Sequence, residues 1–139
     1  MTISARRQEG QVVQAIRVDV AYNTPGLSSG LLFGKLPPDS VLLGAYSRVH
    51  TTFNAGTTNV LTVGTTSANA NEILDSSSIT ETAGVPQNLV PIAAFDTRIT
   101  AETSLYIKFA QTGSAASTGA ATVVMLYSVN TPSSVPSSL

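Results

Sequence analysis

Thr103-Ser-Leu-Tyr-Ile-Lys-Phe-Ala-Gln111 decides the fold class. Leu105, Ile107 and Phe109 share one parity, and Tyr106, Lys108 and Ala110 share the other. A period of two marks a strand with one buried face, because successive side chains leave a pleated backbone on opposite sides. Thr112 to Gly119 is a small-residue turn without an apolar anchor. Ala121 to Val129 is then the last strand, with Val123, Met125, Tyr127 and Val129 on one side. These two strands are expected to form a β-hairpin.

The same period recurs towards the N-terminus. In Gln11 to Tyr22, Val12, Ile16, Val18 and Val20 share one face, with Val13, Ala15, Arg17 and Asp19 on the other. Asn23-Thr-Pro25-Gly26 ends that strand with turn chemistry. Leu31 to Phe33 is a short apolar run, and Leu36-Pro37-Pro38-Asp39 interrupts the chain because neither proline donates to a ladder. Val41 to Phe53 is a long strand with Val41, Leu43, Ala45, Val49 and Phe53 on one parity and Arg48, His50 and Thr52 on the other. Asn54-Ala55-Gly56 is a turn, and Asn59 to Val63 is read as the return strand of a second hairpin. Thr65 to Ser78 reads as a polar loop with one helical turn near Asn71 to Leu74. A short strand is expected at Ile79 to Thr82, a loop at Gly84 to Pro91, and a further short strand between Pro91 and Ile99.

The sum is about seven to nine strands and no long helix, the pattern of an all-β domain. The expected architecture is an antiparallel two-sheet sandwich of jelly-roll type. An immunoglobulin-like sandwich is the rival, but its buried tryptophan and paired cysteines are missing from a chain with no Trp and no Cys. Residues 1–10 are expected to form an N-terminal arm, 11–130 the sandwich, and 131–139 an extended C-terminal tail. Thr131-Pro-Ser-Ser-Val-Pro-Ser-Ser-Leu139 has almost nothing to bury, so it cannot offset its own ordering entropy. A neighbouring subunit is the expected support for both ends.

Composition narrows the function. The chain of 139 residues is 42% hydrophobic and 11% charged. Globular domains usually carry about 25% charged residues; here Ser and Thr take the missing polar share, and such a neutral surface suits packing into an assembly. Seven basic and eight acidic residues give a net charge of −1. That leaves no basic stripe to displace counterions, so nucleic acid is not an expected partner. Arg6 and Arg7 are the one adjacent basic pair, read either as a solvated arm or as a contact reaching an acidic neighbour. With no cysteine, disulfides, thiolate metal sites and cysteine nucleophiles are ruled out. No apolar run approaches the roughly 20 residues of a membrane span. Arg6-Arg7 leads into Gln8-Glu9-Gly10-Gln11 and not into an apolar segment, so no export signal is read and synthesis in the cytoplasm is expected.

The stock of catalytic groups is thin. His50 is the single histidine, so a histidine-cluster metal site is impossible. It reads as a surface or interface side chain, with the alternative of a general base serving Ser47 or Thr51; no Gly-x-Ser-x-Gly elbow supports the latter. Asn69, Asn71, Glu72 and Asp75 share a polar loop. Turn-forming Asx chemistry explains them, with a weak structural calcium site as the alternative. Asp96, Arg98 and Glu102 read as a surface ion pair, the alternative being a carboxylate pair across a glycosidase cleft. Gly56, Gly64, Gly113 and Gly119 lie between strands and not before helices, so they cradle no phosphate. Four Tyr and four Phe are scattered along the chain, a weak basis for a sugar-stacking surface. No catalytic residue, metal, cofactor or small-molecule substrate is expected.

One stretch carries a resemblance. Leu-Pro-Pro-Asp-Ser-Val-Leu-Leu-Gly-Ala from Leu36, Thr-Thr-Phe-Asn-Ala-Gly-Thr ending the long strand, and Asn-Val-Leu-Thr-Val-Gly from Asn59 resemble a module of tailed-bacteriophage head and cement proteins. The strand Tyr106 to Ala110, the Gly-Ser-Ala-Ala-Ser-Thr-Gly turn and Ala121-Thr-Val-Val-Met-Leu-Tyr127 fit the same pattern. The resemblance spans most of Leu36 to Val129 and is similar to the jelly-roll cement proteins of short-tailed phages, such as one infecting Bordetella. It implies a subunit on the outer capsid surface that bridges major capsid proteins, as a homodimer. The rival function is a receptor- or glycan-binding module of a phage fibre or spike. Contact residues are expected at Arg6, Arg7, Val135 and Leu139.

Overall fold

The computed structural model describes residues 12–129. Arg6, Arg7, Val135 and Leu139, with the arm 1–10 and the tail 131–139, lie outside the described residues. Among the described residues eight strands form: β1 (Val13–Ala21), β2 (Leu31–Leu36), β3 (Ser40–Thr51), β4 (Thr58–Gly64), β5 (Gln87–Leu89), β6 (Arg98–Ile99), β7 (Thr103–Thr112) and β8 (Ala120–Val129). A 3-10 turn at Leu27–Ser29 drops Leu27 into the core. The larger sheet has the order β1-β8-β3-β5, with β6 also on β3; the smaller has the order β2-β7-β4. All pairings are antiparallel.

The topology is that of a long folded ribbon rolled up. β1 pairs β8, β2 pairs β7 and β3 pairs β6. Rolling such a ribbon sends successive strand pairs to alternate sheets, which is the jelly roll. The innermost pair is altered, since β5 joins β3 and not β4. Strand β4 is flanked on its outer side by Leu74, which bridges Val63, and by the Glu81 carboxylate, which accepts the Leu61 N–H at 2.7 Å. The polar segment 65–82 therefore stands where a fourth strand of the smaller sheet would be.

The core lies between the sheets. Leu61, Val63, Leu105, Ile107 and Phe109 face it from the smaller sheet, and Val20, Leu42, Val49, Val123 and Met125 from the larger. These are the alternating positions of the sequence, except in β3. There Leu42 is 2% exposed and Leu43 is 49% exposed. A β-bulge is the cause: Leu42 pairs Tyr127 and Gly44 pairs Leu126, leaving Leu43 as the extra residue. One inserted residue flips every side chain beyond it to the other face. Placing Val41 and Leu43 with Ala45 and Val49 is thus corrected.

Both expected hairpins are also corrected. β3 belongs to the larger sheet and pairs β8, whereas β4 belongs to the smaller and pairs β7. The links 52–57 and 113–119 are corners that carry the chain from one sheet to the other. Each corner completes the other's hydrogen bonds. Asn54 Oδ1 accepts the N–H groups of Ser117 and Thr118, Thr118 donates its hydroxyl to the Thr52 carbonyl, and Gly56 N–H donates to the Ser114 carbonyl. Turn residues show where a chain bends, but not which sheet receives the next strand.

Three smaller expectations change. Asn71 to Leu74 forms no helical turn; the N–H groups of Ile73 and Leu74 both donate to the Val63 carbonyl, and both side chains are fully buried. Ile79 to Thr82 is not a strand, and Gln87–Leu89, within a stretch read as a loop, is one. Gln87 also pairs with Thr80 through its side-chain amide, donating to the Thr80 carbonyl and accepting its N–H at 2.8 Å each. The strand expected between Pro91 and Ile99 is confined to Arg98–Ile99.

Ser47 faces the core with its hydroxyl fully buried and unpartnered. A hydroxyl buried without a partner destabilises by its lost hydration. Ser47→Ala is expected to raise stability by about 1 kcal/mol, measured by urea denaturation; a loss of that size would show that the hydroxyl is satisfied.

Candidate functional site: the outer face of the larger sheet

Side chains of β1, β8 and β3 that do not enter the core stand on one outer face. The strand register sets them in cross-strand rows: Val13, Ser128 and Val41; Ala15, Leu126 and Gly44; Arg17, Val124 and Tyr46; Asp19, Thr122 and Arg48. The first rows are mainly apolar and the last is charged. Leu43, pushed out by the bulge, adds to the apolar end. Val13 faces Ser128, so the described chain begins and ends on adjacent strands at this same end.

The polar end is a connected network. Thr122 donates its hydroxyl proton to Asp19 Oδ1 at 2.5 Å, and His50 Nε2 stands 2.9 Å from the same hydroxyl oxygen. A hydroxyl has one proton to give, so with that proton on Asp19 the histidine Nε2 is the donor to Thr122. Arg17 Nη2 donates to Asp19 Oδ1 at 3.1 Å. Hydrogen bonds from Thr122 and Arg17, with the nearby positive charge, hold the Asp19 carboxyl below the usual aspartate range. His50 reaches Thr122 because a second bulge, between Val49 and Thr51, sets it out of the ladder. In a nucleophilic triad the histidine accepts the hydroxyl proton and the carboxylate holds the histidine. Here the hydroxyl is in the middle and its proton points at the carboxylate, so the order is that of a polar surface network.

Thr122→Val removes the hydroxyl from between the two groups. The Asp19 pKa is expected to rise towards the ordinary aspartate value, read from a carboxyl-carbon NMR titration; an unchanged value would show that Arg17 alone sets it.

The other candidate residues separate. Ser47 points into the core and Thr51 is exposed; neither is bonded to His50. Asp75 forms an Asx turn, accepting from the Ser77 hydroxyl and N–H and from the Ser78 hydroxyl, bonds that lower its pKa. Among the described residues no three His, Asp or Glu side chains gather as a metal-ion group. Asp96 and Arg98 form the expected ion pair, at 3.1 Å, while Glu102 pairs with Lys35 at 3.6 Å. The link between Asp19 and Thr122 was hidden from the sequence because it spans 103 positions and depends on the register of β1 on β8.

No protein-family model matches the chain, and no curated protein sequence matches it. Solved structures do contain similar chains. A chain of the cyanophage Pam1 capsid asymmetric unit is 21% identical, with 87% of each chain covered and a TM-score of 0.64. A chain of the capsid of Ralstonia phage GP4 is 22% identical, covering 87% of this chain and 86% of that one, with a TM-score of 0.57. A chain of the acidic stable capsid structure of Helicobacter pylori bacteriophage KHP30 is 14% identical, covering 88% and 91%, with a TM-score of 0.63. At such identities the likeness establishes a common fold, and it extends over nearly the whole length of each chain.

Proposed function

We propose that this chain is a bacteriophage virion structural protein without enzymatic activity, a decoration subunit that sits on the outside of the assembled shell and bridges major capsid proteins. The observation that carries the reading is the likeness in fold, over 87–88% of the chain, to chains from three phage capsid structures. The sequence pattern similar to the cement protein of a Bordetella phage supports the same role. So does an outer face whose polar network is a bonded surface and whose other end is apolar. The subunit is made in the host cytoplasm and acts as a homodimer. Its terminal segments, through Arg6, Arg7, Val135 and Leu139, contact neighbouring capsid subunits. The described chain begins and ends on adjacent strands at one end of the larger sheet, and paired contacts raise avidity without a large area at each.

A ligand that binds only the assembled shell stabilises it by mass action. Shells of the source phage stripped of this chain are expected to break at a temperature lower by several degrees, and added purified chain to cosediment with them and restore it. Shells that neither bind the chain nor change their breakage temperature would overturn the reading. The fibre-tip alternative makes the opposite forecast: a trimer that retains sugars on a glycan array and does not bind shells.

A further inference from the structure

We infer that strand β1 is a docking edge for a second copy of itself, paired antiparallel about Val18 so that Arg17 of each copy faces Asp19 of the other. The inference rests on the homodimer of the proposed function and names the surface that makes it.

The first support is how the sheet edges are finished. Long, regular edge strands invite pairing with another chain, and proteins blunt them by shortening, bulging or covering. The larger sheet's far edge ends in β5 and β6, three and two residues long. In the smaller sheet β2 carries a bulge between Leu32 and Gly34, and β4 is covered by Leu74 and Glu81. β1 differs from all of them. It is nine residues long, contains neither Pro nor Gly, and runs on β8 without a register shift. Among the described residues β8 is its one partner.

The second support is the order of charges along it. β1 reads Val13-Gln-Ala-Ile-Arg-Val-Asp-Val-Ala21. In an antiparallel pair of identical strands, residue i of one faces a residue of the other such that the two numbers have a constant sum. Only even sums bring like faces together. With the axis at Arg17 the two arginines meet, and with the axis at Asp19 the two aspartates meet. With the axis at Val18, Arg17 faces the partner's Asp19 twice, by symmetry. The same register sets Ile16 opposite the partner's Val20, Val18 opposite Val18, and Ala15 opposite the partner's Ala21. Charges pair on the outer face and apolar side chains on the inner one. Such a contact is isologous, as a two-fold axis demands, and joins the two larger sheets into one.

Charge reversal tests the contact by sedimentation equilibrium of the full chain. Wild type is expected to be a dimer. Arg17→Asp sets two like-charged pairs across the axis, and Asp19→Arg does the same with the opposite sign. Each single variant is expected to self-associate at least about tenfold more weakly, from two reversed cross-strand pairs. An equimolar mixture of the two variants restores both pairs in a heterodimer, which also shows that each variant is folded. As a second measurement, Ala15→Cys with Ala21→Cys in one chain is expected to cross-link to a covalent dimer on mild oxidation, and Ala15→Cys alone is not. A wild-type monomer, including one whose β1 edge is covered by its own terminal segment, overturns the inference. So does a dimer indifferent to both reversals. If the chain is monomeric but still binds shells, the edge pairing fails and the capsid role stands. A dimer of this register that binds no shell upholds the edge pairing and overturns the capsid role.

Discussion

Phe53→Ala is expected to lower the stability of the folded chain by about 3–5 kcal/mol, the range for emptying a buried aromatic site. Phe53 stands just past β3, is 3% exposed, and holds its ring 4.8 Å from that of Phe109 in a tilted contact. Its ring also lies against Gly119 of the second corner. Gly119 packs so closely on this ring that a Cβ there would overlap it, and the Gly119 φ of +148° disfavours a side chain in any case. Around the ring, Asn54 fixes the N–H groups of Ser117 and Thr118. Losing the ring therefore removes a core contact and the surface over which the second corner closes. The neighbouring glycine and the hydrogen-bonded loops leave little freedom for the site to collapse, which places the cost at the upper end. Urea denaturation with an unchanged m-value measures it. A loss below about 1.5 kcal/mol, the scale of a surface change or a conservative swap, would mean that the corners hold each other by hydrogen bonds alone. Gly119→Ala, which pushes a methyl group towards the same ring, is expected to move stability in the same direction.

The two corners also show why some of the fold is legible in the sequence and some is not. The faces of β7 and β8 follow from local alternation, because Leu105, Ile107, Phe109, Val123 and Met125 need only a period of two to be assigned inward. The pairing of those strands does not follow, since a strand leaving a corner meets the same apolar demand in either sheet. The β3 face failed at Val41 and Leu43, because a bulge is a feature of the pair β3·β8 and not of β3 alone. The candidate site has the same character. His50 is visible as the single histidine, but its partner Thr122 lies 72 positions away, and Asp19 arrives from a third strand. Local chemistry names such groups; register brings them together.

Glu81 offers the second large effect and a test of sign. Its carboxylate accepts the N–H of Leu61, a fully buried residue on β4, where no strand of the described chain does so. Glu81→Ala leaves that donor without a partner and is expected to cost about 1–3 kcal/mol. Glu81→Gln keeps an acceptor oxygen on the same stem and removes the charge. Burial pushes the Glu81 pKa above the glutamate reference value of 4.5, against the lowering effect of the Leu61 hydrogen bond. A carboxyl whose folded pKa is raised binds protons more tightly folded than unfolded, so its contribution to stability falls as pH rises through the window above 4.5. Asp19, Asp75 and Asp96, shifted below 3.8 by hydrogen bonds from Thr122, Ser77 and Arg98 respectively, act in the opposite sense. Their contribution is present above 3.8 and is lost as pH falls through their lower folded values. Glu72, where hydrogen bonds from Thr65 and Thr66 outweigh its partial burial, joins them. Wild type should therefore lose stability on acidification below about pH 4, where these carboxylates protonate. The Gln variant should equal or exceed wild type at pH 7, and its advantage should shrink as pH falls towards 4.5. A constant difference between the two across that window would mean that the charge of Glu81 is fully solvated, and that the β4 edge is closed by shape and not by a strained carboxylate.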